Sequence, residues 1–161
     1  MDKYQQSQKD KLFKPDHSDP YLDLPSAGTA VCSQCGVVYH RGHWYWRSAM
    51  PVDAHSIVCP ACRRIADNHP AGTLHLGGKF LREHRTEILN LIHNTETSEK
   101  AAHALERLLS VTDKGDDLEV TTTGMHLANR IGHALNAAYK GRSQYHYSDD
   151  ETQVSIRWER D

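Results

Sequence analysis

The side chains of this 161-residue chain best suited to chemistry are four cysteines, in Cys32-Ser-Gln-Cys35 and Cys59-Pro-Ala-Cys62. A C-x-x-C turn offers two thiolates from one tight loop. Two such turns complete the tetrahedral shell that Zn(II) takes at about 2.3 Å. Four thiolates leave no position open to water, so the expected ion is structural and not catalytic. The chain has no other cysteine, which in a cytosolic protein favours a metal over disulfides. Two further readings of the same residues stay open: iron in a rubredoxin-like site, and a reversible dithiol. The dithiol reading lacks the strand-to-helix setting of a thioredoxin-like unit. His40, His43, His55 and His69 surround the two turns. With four thiolates available, they are expected to be hydrogen-bonding surface groups. Structural roles are expected for His84, His126 and His133, since no H-E-x-x-H motif accompanies them.

Between the cysteine pairs runs the basic-aromatic stretch "YHRGHWYWRS". Strand alternation would put Arg41, His43, Tyr45 and Arg47 on one side, and Trp44 and Trp46 on the other. Guanidinium, imidazole and phenol together make a face able to contact phosphates and stack on bases. Arg63 and Arg64, directly after the second cysteine pair, could extend it. The opposing Trp pair reads as filling for a module with little core of its own.

The charge distribution supports that face. Residues 32–72 carry Arg41, Arg47, Arg63 and Arg64 against only Asp53 and Asp67, and no Lys. Residues 73–161 hold eleven basic and fourteen acidic side chains, and the whole chain has net charge -2. A globally basic nucleic-acid binder is therefore excluded, while a local arginine patch is not. Mean hydropathy is -0.70, and no apolar run approaches the roughly 18 residues of a membrane span. The charged N-terminal stretch has no apolar segment of a secretory signal, so a cytoplasmic location is expected. Nucleophile-elbow, P-loop and dinucleotide motifs are absent, and a non-enzymatic role is expected.

Three segments must position these residues. Residues 1–30, polar with three prolines, read as a disordered tail. Residues 31–72 read as a small four-cysteine module of zinc-ribbon or treble-clef type: a knuckle and hairpin, then a strand, a second knuckle and a short helix. Residues 73–161 read as an α+β domain of order β-α-α-β-α-β-β, with helices on one face of a four-stranded sheet. Its first helix covers "KFLREHRTEILNLIHN", with Phe80, His84, Ile88, Leu91 and Ile92 on one stripe. A second helix, "EKAAHALERLLSV", is expected after a Thr97 or Ser98 cap. A third carries Ala128, Ile131, Leu135 and Ala138. The "VTTT" before it reads as its capping region. Leu118 and Val120 are expected inward on one strand, and Val154, Ile156 and Trp158 on the last.

The segments "VCSQCGVVYHRGHWYW", "CPACRR", "FLREHRTEILNLI", "VTTTGMHLANRIGHALNAAYKG" and "VSIRWER" resemble a family of small bacterial zinc-knuckle proteins. That family is distantly similar to the N-terminal half of the archaeal and eukaryotic large-ribosomal-subunit export adaptor, in which zinc knuckles precede an α/β domain. The resemblance implies a four-thiolate zinc at Cys32, Cys35, Cys59 and Cys62, and contact with ribosomal RNA or a ribosomal subunit. The function expected from these lines together is a zinc-binding, non-enzymatic adaptor that contacts structured RNA or a ribosomal subunit. The alternative is a protein-interaction module, with stress response as one setting, in which the zinc is purely structural.

Overall fold

The computed structural model describes residues 21, 28–47 and 53–161, so the expected tail lies outside the described residues except for Tyr21 and its last three positions. Two sheets organise the described chain. The first contains β1 (Ala30–Cys32), β2 (Val38–His40), β3 (His43–Tyr45) and β4 (His55–Ile57), in the order β3-β2-β1-β4. Its strands are only three residues long. Val31, Val38 and Tyr39 are good strand formers, and all three are buried. Arg41 and Gly42 link β2 to β3 with φ of 50° and 84°. Left-handed backbone at both positions matches the twist of a two-residue hairpin. β4 returns parallel to β1.

Helix α1 (Pro60–Asp67) leaves directly from the second cysteine pair. Pro60 occupies its first turn, where a missing N–H costs nothing. Asn68 ends it in a left-handed cap with φ 52°.

The second sheet holds β5 (Gly72–Gly77), β6 (Leu108–Lys114), β7 (Asp117–Thr122), β8 (Arg142–Tyr147) and β9 (Val154–Glu159), in the order β6-β7-β5-β9-β8. Its helices are α2 (Lys79–Glu83), α3 (Arg85–Ala102) and α4 (Met125–Tyr139). Register brings Leu74 beside Val120 and Ile156, and Leu76 beside Leu118 and Trp158. Alternation puts all six on one face, and all are buried against Leu81, Ile88, Ile92, Leu127, Ile131 and Leu135 of the helices. The opposite face carries Thr73, His75, Glu119, Ser155 and Arg157. Gly72 sits where β5 meets α4: a Cβ there would lie 2.4 Å from that of Ala128.

The α+β class and the inward sets of β7 and β9 agree with the sequence. Three details differ. The sheet has five strands, not four, and the order of its elements is β-α-α-β-β-α-β-β. The first expected helix breaks at His84, which joins α2 to α3 with φ -123°. The second expected helix does not form. α3 runs unbroken to Ala102, and Leu108–Lys114 is an edge strand. Thr97 cannot cap because it is mid-helix, its hydroxyl donating to the His93 carbonyl at 3.0 Å. Ala101 and Ala138, expected on apolar stripes, are exposed.

Candidate metal centre

The first knuckle follows from its backbone. The Cys32 amide donates to the Val37 carbonyl and the Gly36 amide to the Cys32 carbonyl, both at 2.9 Å. Gly36 takes φ 83°, a turn that favours glycine. The second knuckle is a helix start. Cys59 is the N-cap of α1, and its sulfur accepts the Cys62 amide at 3.4 Å. The amides of Gln34 and Cys59 both point at the Cys32 sulfur, at 3.4 and 3.3 Å. The parallel pairing of β1 with β4 delivers one knuckle to the other.

All four sulfurs lie within 4.8 Å of one another, and those of Cys35 and Cys59 are 3.7 Å apart. The edge of a tetrahedron with metal–sulfur bonds of about 2.3 Å is about 3.8 Å, so the donor set fits a four-coordinate soft ion. All four thiols are free. Their electrostatics also call for a cation. Burial raises Cys32, but the amides of Cys59 and Gln34 outweigh it and bring the thiol down to about 6. Burial pushes the Cys59 and Cys62 thiols up. Holding all four as thiolates in this enclosed place therefore requires positive charge.

Part of that charge comes from a residue the sequence reading passed over. Arg107 follows α3 and is 5% exposed. Its guanidinium donates to the Cys35 sulfur at 3.2 Å and the Cys62 sulfur at 3.4 Å, while Nε holds the Ala104 carbonyl at 2.9 Å. Burial would lower the Arg107 pKa, but its bonds to Cys35 and the thiolate charges raise it, so the group stays cationic. Ala104 and Leu105 pack on the cysteine cluster beside it. No local spacing announces this partner, because it lies 45 residues beyond Cys62 in a stretch whose leucines look helical.

The same turn caps α4. Gly124 is the N-cap and contributes no side-chain bond, and the threonines before it bond elsewhere. Instead Glu106 accepts the Leu127 amide at 3.1 Å.

The expected basic face is only partly assembled. Arg41 is exposed at the hairpin apex, off the strand face assigned to it, and His43 and Arg47 are also exposed. Tyr45 is half-buried, with the Arg47 guanidinium 5.5 Å above its ring. Arg64 leaves this set: it is 4% exposed, donates to the His69 carbonyl at 3.0 Å and lies over the Tyr21 ring. Arg64 lies with Pro60 and Ala61 on the buried side of α1, a side the sequence could not assign, and that is the reason. Arg63 donates to the Tyr21 carbonyl at 2.8 Å. Of the two tryptophans, Trp44 is half-buried as expected, whereas Trp46 is 37% exposed and lies across the surface. Trp44 meets Tyr39 at 5.0 Å and lies on the cysteine cluster. Trp46 donates to the Lys100 carbonyl at 3.0 Å, with Arg107 5.0 Å over its ring.

Fold and site together define an α+β protein with a four-cysteine cluster positioned to bind a metal ion. Among the described residues no helix is long and apolar enough to cross a membrane. Neither protein-family models nor curated protein sequences match the chain.

Proposed function

We propose that the protein is a non-enzymatic zinc-binding adaptor whose Arg41–Arg47 hairpin contacts structured RNA, the ribosomal subunit being the expected setting. Zn(II) is the ion that best suits four thiolates in tetrahedral spacing, and a full thiolate shell leaves it no site for catalysis. The observation that carries the RNA reading is the pairing state of the arginines. In the second sheet and its helices, Arg82, Arg85, Arg130, Arg142 and Arg157 each have a carboxylate partner. Among the described residues, Arg41 and Arg47 have none and are exposed. Guanidinium groups with no carboxylate partner among the described residues, beside His43 and Tyr45 on a hairpin next to the cysteine knuckle, offer an anion contact. The distant similarity to the N-terminal half of the large-ribosomal-subunit export adaptor points the same way.

The test is co-sedimentation with ribosomes, and binding to a structured RNA across a salt series, for the wild type and an Arg41→Glu/Arg47→Glu variant. Wild-type affinity should fall steeply with salt. The variant should bind weakly, with a log–log salt slope shallower by about two. A wild type that binds neither target, or a variant that binds as well, would sink the proposal. The second reading, a protein partner, is favoured by Val58 and Ile65, which are exposed apolar residues flanking the second knuckle. An interface built on them should be nearly insensitive to salt.

A further inference from the structure

Apart from the four cysteines, one other group of ligand-type side chains converges among the described residues: Glu99, His103 and His126, whose donor atoms all lie within 4.8 Å of one another. We propose that these three residues form a second metal site, taking a divalent transition ion of the Zn(II), Co(II) or Ni(II) class.

The helices dictate the arrangement. Glu99 and His103 are four residues apart at the end of α3, so they project from the same side one turn apart. His103 is the residue that ends the helix, its amide donating to the Glu99 carbonyl. His126 comes from the first turn of α4. Its Nε2 is 2.8 Å from Glu99 Oε2, close to the roughly 3 Å between neighbouring ligands at 90° around an ion bound at about 2.1 Å. The two imidazole rings sit edge to face at 5.0 Å. Glu99 is the well-held member: its side chain is 13% exposed, and Arg130 Nε holds the other carboxylate oxygen at 3.0 Å. An oriented carboxylate with an outer hydrogen bond is how ligating carboxylates are normally fixed.

Two imidazoles and one carboxylate are a borderline-soft donor set, so Mg(II) and Ca(II), which prefer all-oxygen shells, are disfavoured. His103 and His126 are exposed, which leaves an entry path and at least one coordination position for water. This site should therefore exchange its ion readily, unlike the enclosed thiolate cluster. The ion would replace the Glu99–His126 hydrogen bond and tie the end of α3 to the start of α4.

The experiment uses the full chain with its thiolate cluster already loaded with Zn(II). Zn(II) is titrated in by calorimetry, and Ni(II) by NMR of the histidine side chains, for wild type, His103→Ala, His126→Gln and Glu99→Gln. The wild type should take one further ion, with the His103 and His126 signals the first to broaden. Each variant should retain the thiolate-bound ion and lose at least about tenfold in affinity for the second. A wild type that binds no further ion overturns the proposal. So does second-ion binding that persists in the variants, or Ni(II) broadening that falls first on other histidines. The wild-type NMR decides the question even where a variant folds poorly.

Discussion

Replacing Arg107 with methionine tests whether the α+β domain contributes to the metal centre. The substitution keeps an unbranched apolar stem but removes the guanidinium, and with it the charge, the Nε bond to Ala104 and both N–H···S contacts, at 3.2 and 3.4 Å. A hydrogen bond to a charged group contributes about 1.5–3 kcal/mol, and sulfur, a diffuse acceptor, belongs at the lower end. Two such bonds give about 3 kcal/mol, or roughly two powers of ten in metal affinity. At 5% exposure little water can replace the lost donors. Arg107→Lys should recover about half the loss, because an ammonium is a point charge without the fork that spans two sulfurs. The assay is competition for Zn(II) against a chelator at neutral pH, with far-UV circular dichroism confirming the fold. A methionine variant that holds Zn(II) within about threefold of wild type would refute the reasoning, since outer-shell partners are normally worth about 10–100-fold.

Chelating the ion should abolish amide-exchange protection across β1–β4 and α1, while β5, β7 and β9 keep theirs, because only the second sheet has a large apolar core. Simultaneous loss in both sheets would contradict this. Gly72→Ala should lower stability by about 1–3 kcal/mol in denaturant unfolding, since its Cβ would meet Ala128 and Thr122 at 2.4 Å. An unchanged midpoint would show that α4 can shift to make room. Burial pushes the Glu106 carboxyl up, so the folded chain keeps a proton that the unfolded chain has lost. Its contribution to stability is full below the unfolded value of about 4.3 and is lost as pH rises through the folded value. Glu106→Gln keeps an acceptor for the Leu127 amide, so its melting temperature should exceed wild type at pH 7, with the gap closing near pH 4. A gap independent of pH would be the contrary result.

The legible parts of the fold are those where one periodicity dominates. Leu74/Leu76, Leu118/Val120 and Val154/Ile156/Trp158 alternate cleanly, and the cysteine spacing needs no context to be read. The stretch from Glu99 to Val111 misleads because Ala101, Leu105, Leu108 and Leu109 mimic a helical stripe. Tertiary demands override it there. Arg107 must turn inward to the sulfurs, its amide donates to Thr123, and Leu108 donates its amide to Glu96. With the chain thus extended, Val111 and Thr112 pair with β7. Arg64 and Arg107 show the same limit. In sequence Arg64 reads as part of an exposed contact face and Arg107 gives no signal, and only three-dimensional placement shows that both are buried.

The pairing of β5 with β9 also orders the assembly of the molecule in time. All four sulfurs exist once Cys62 has been synthesised, so an ion can be captured early by a short, local structure. Arg107 reaches that site only after another 45 residues. β5 is the middle strand of its sheet, and although β7 can pair with one of its edges earlier, the other edge stays open until translation passes Glu159 of β9. Such long-range closure is slow. The nascent chain thus carries a complete four-cysteine cluster ahead of a sheet whose central strand still has one open edge.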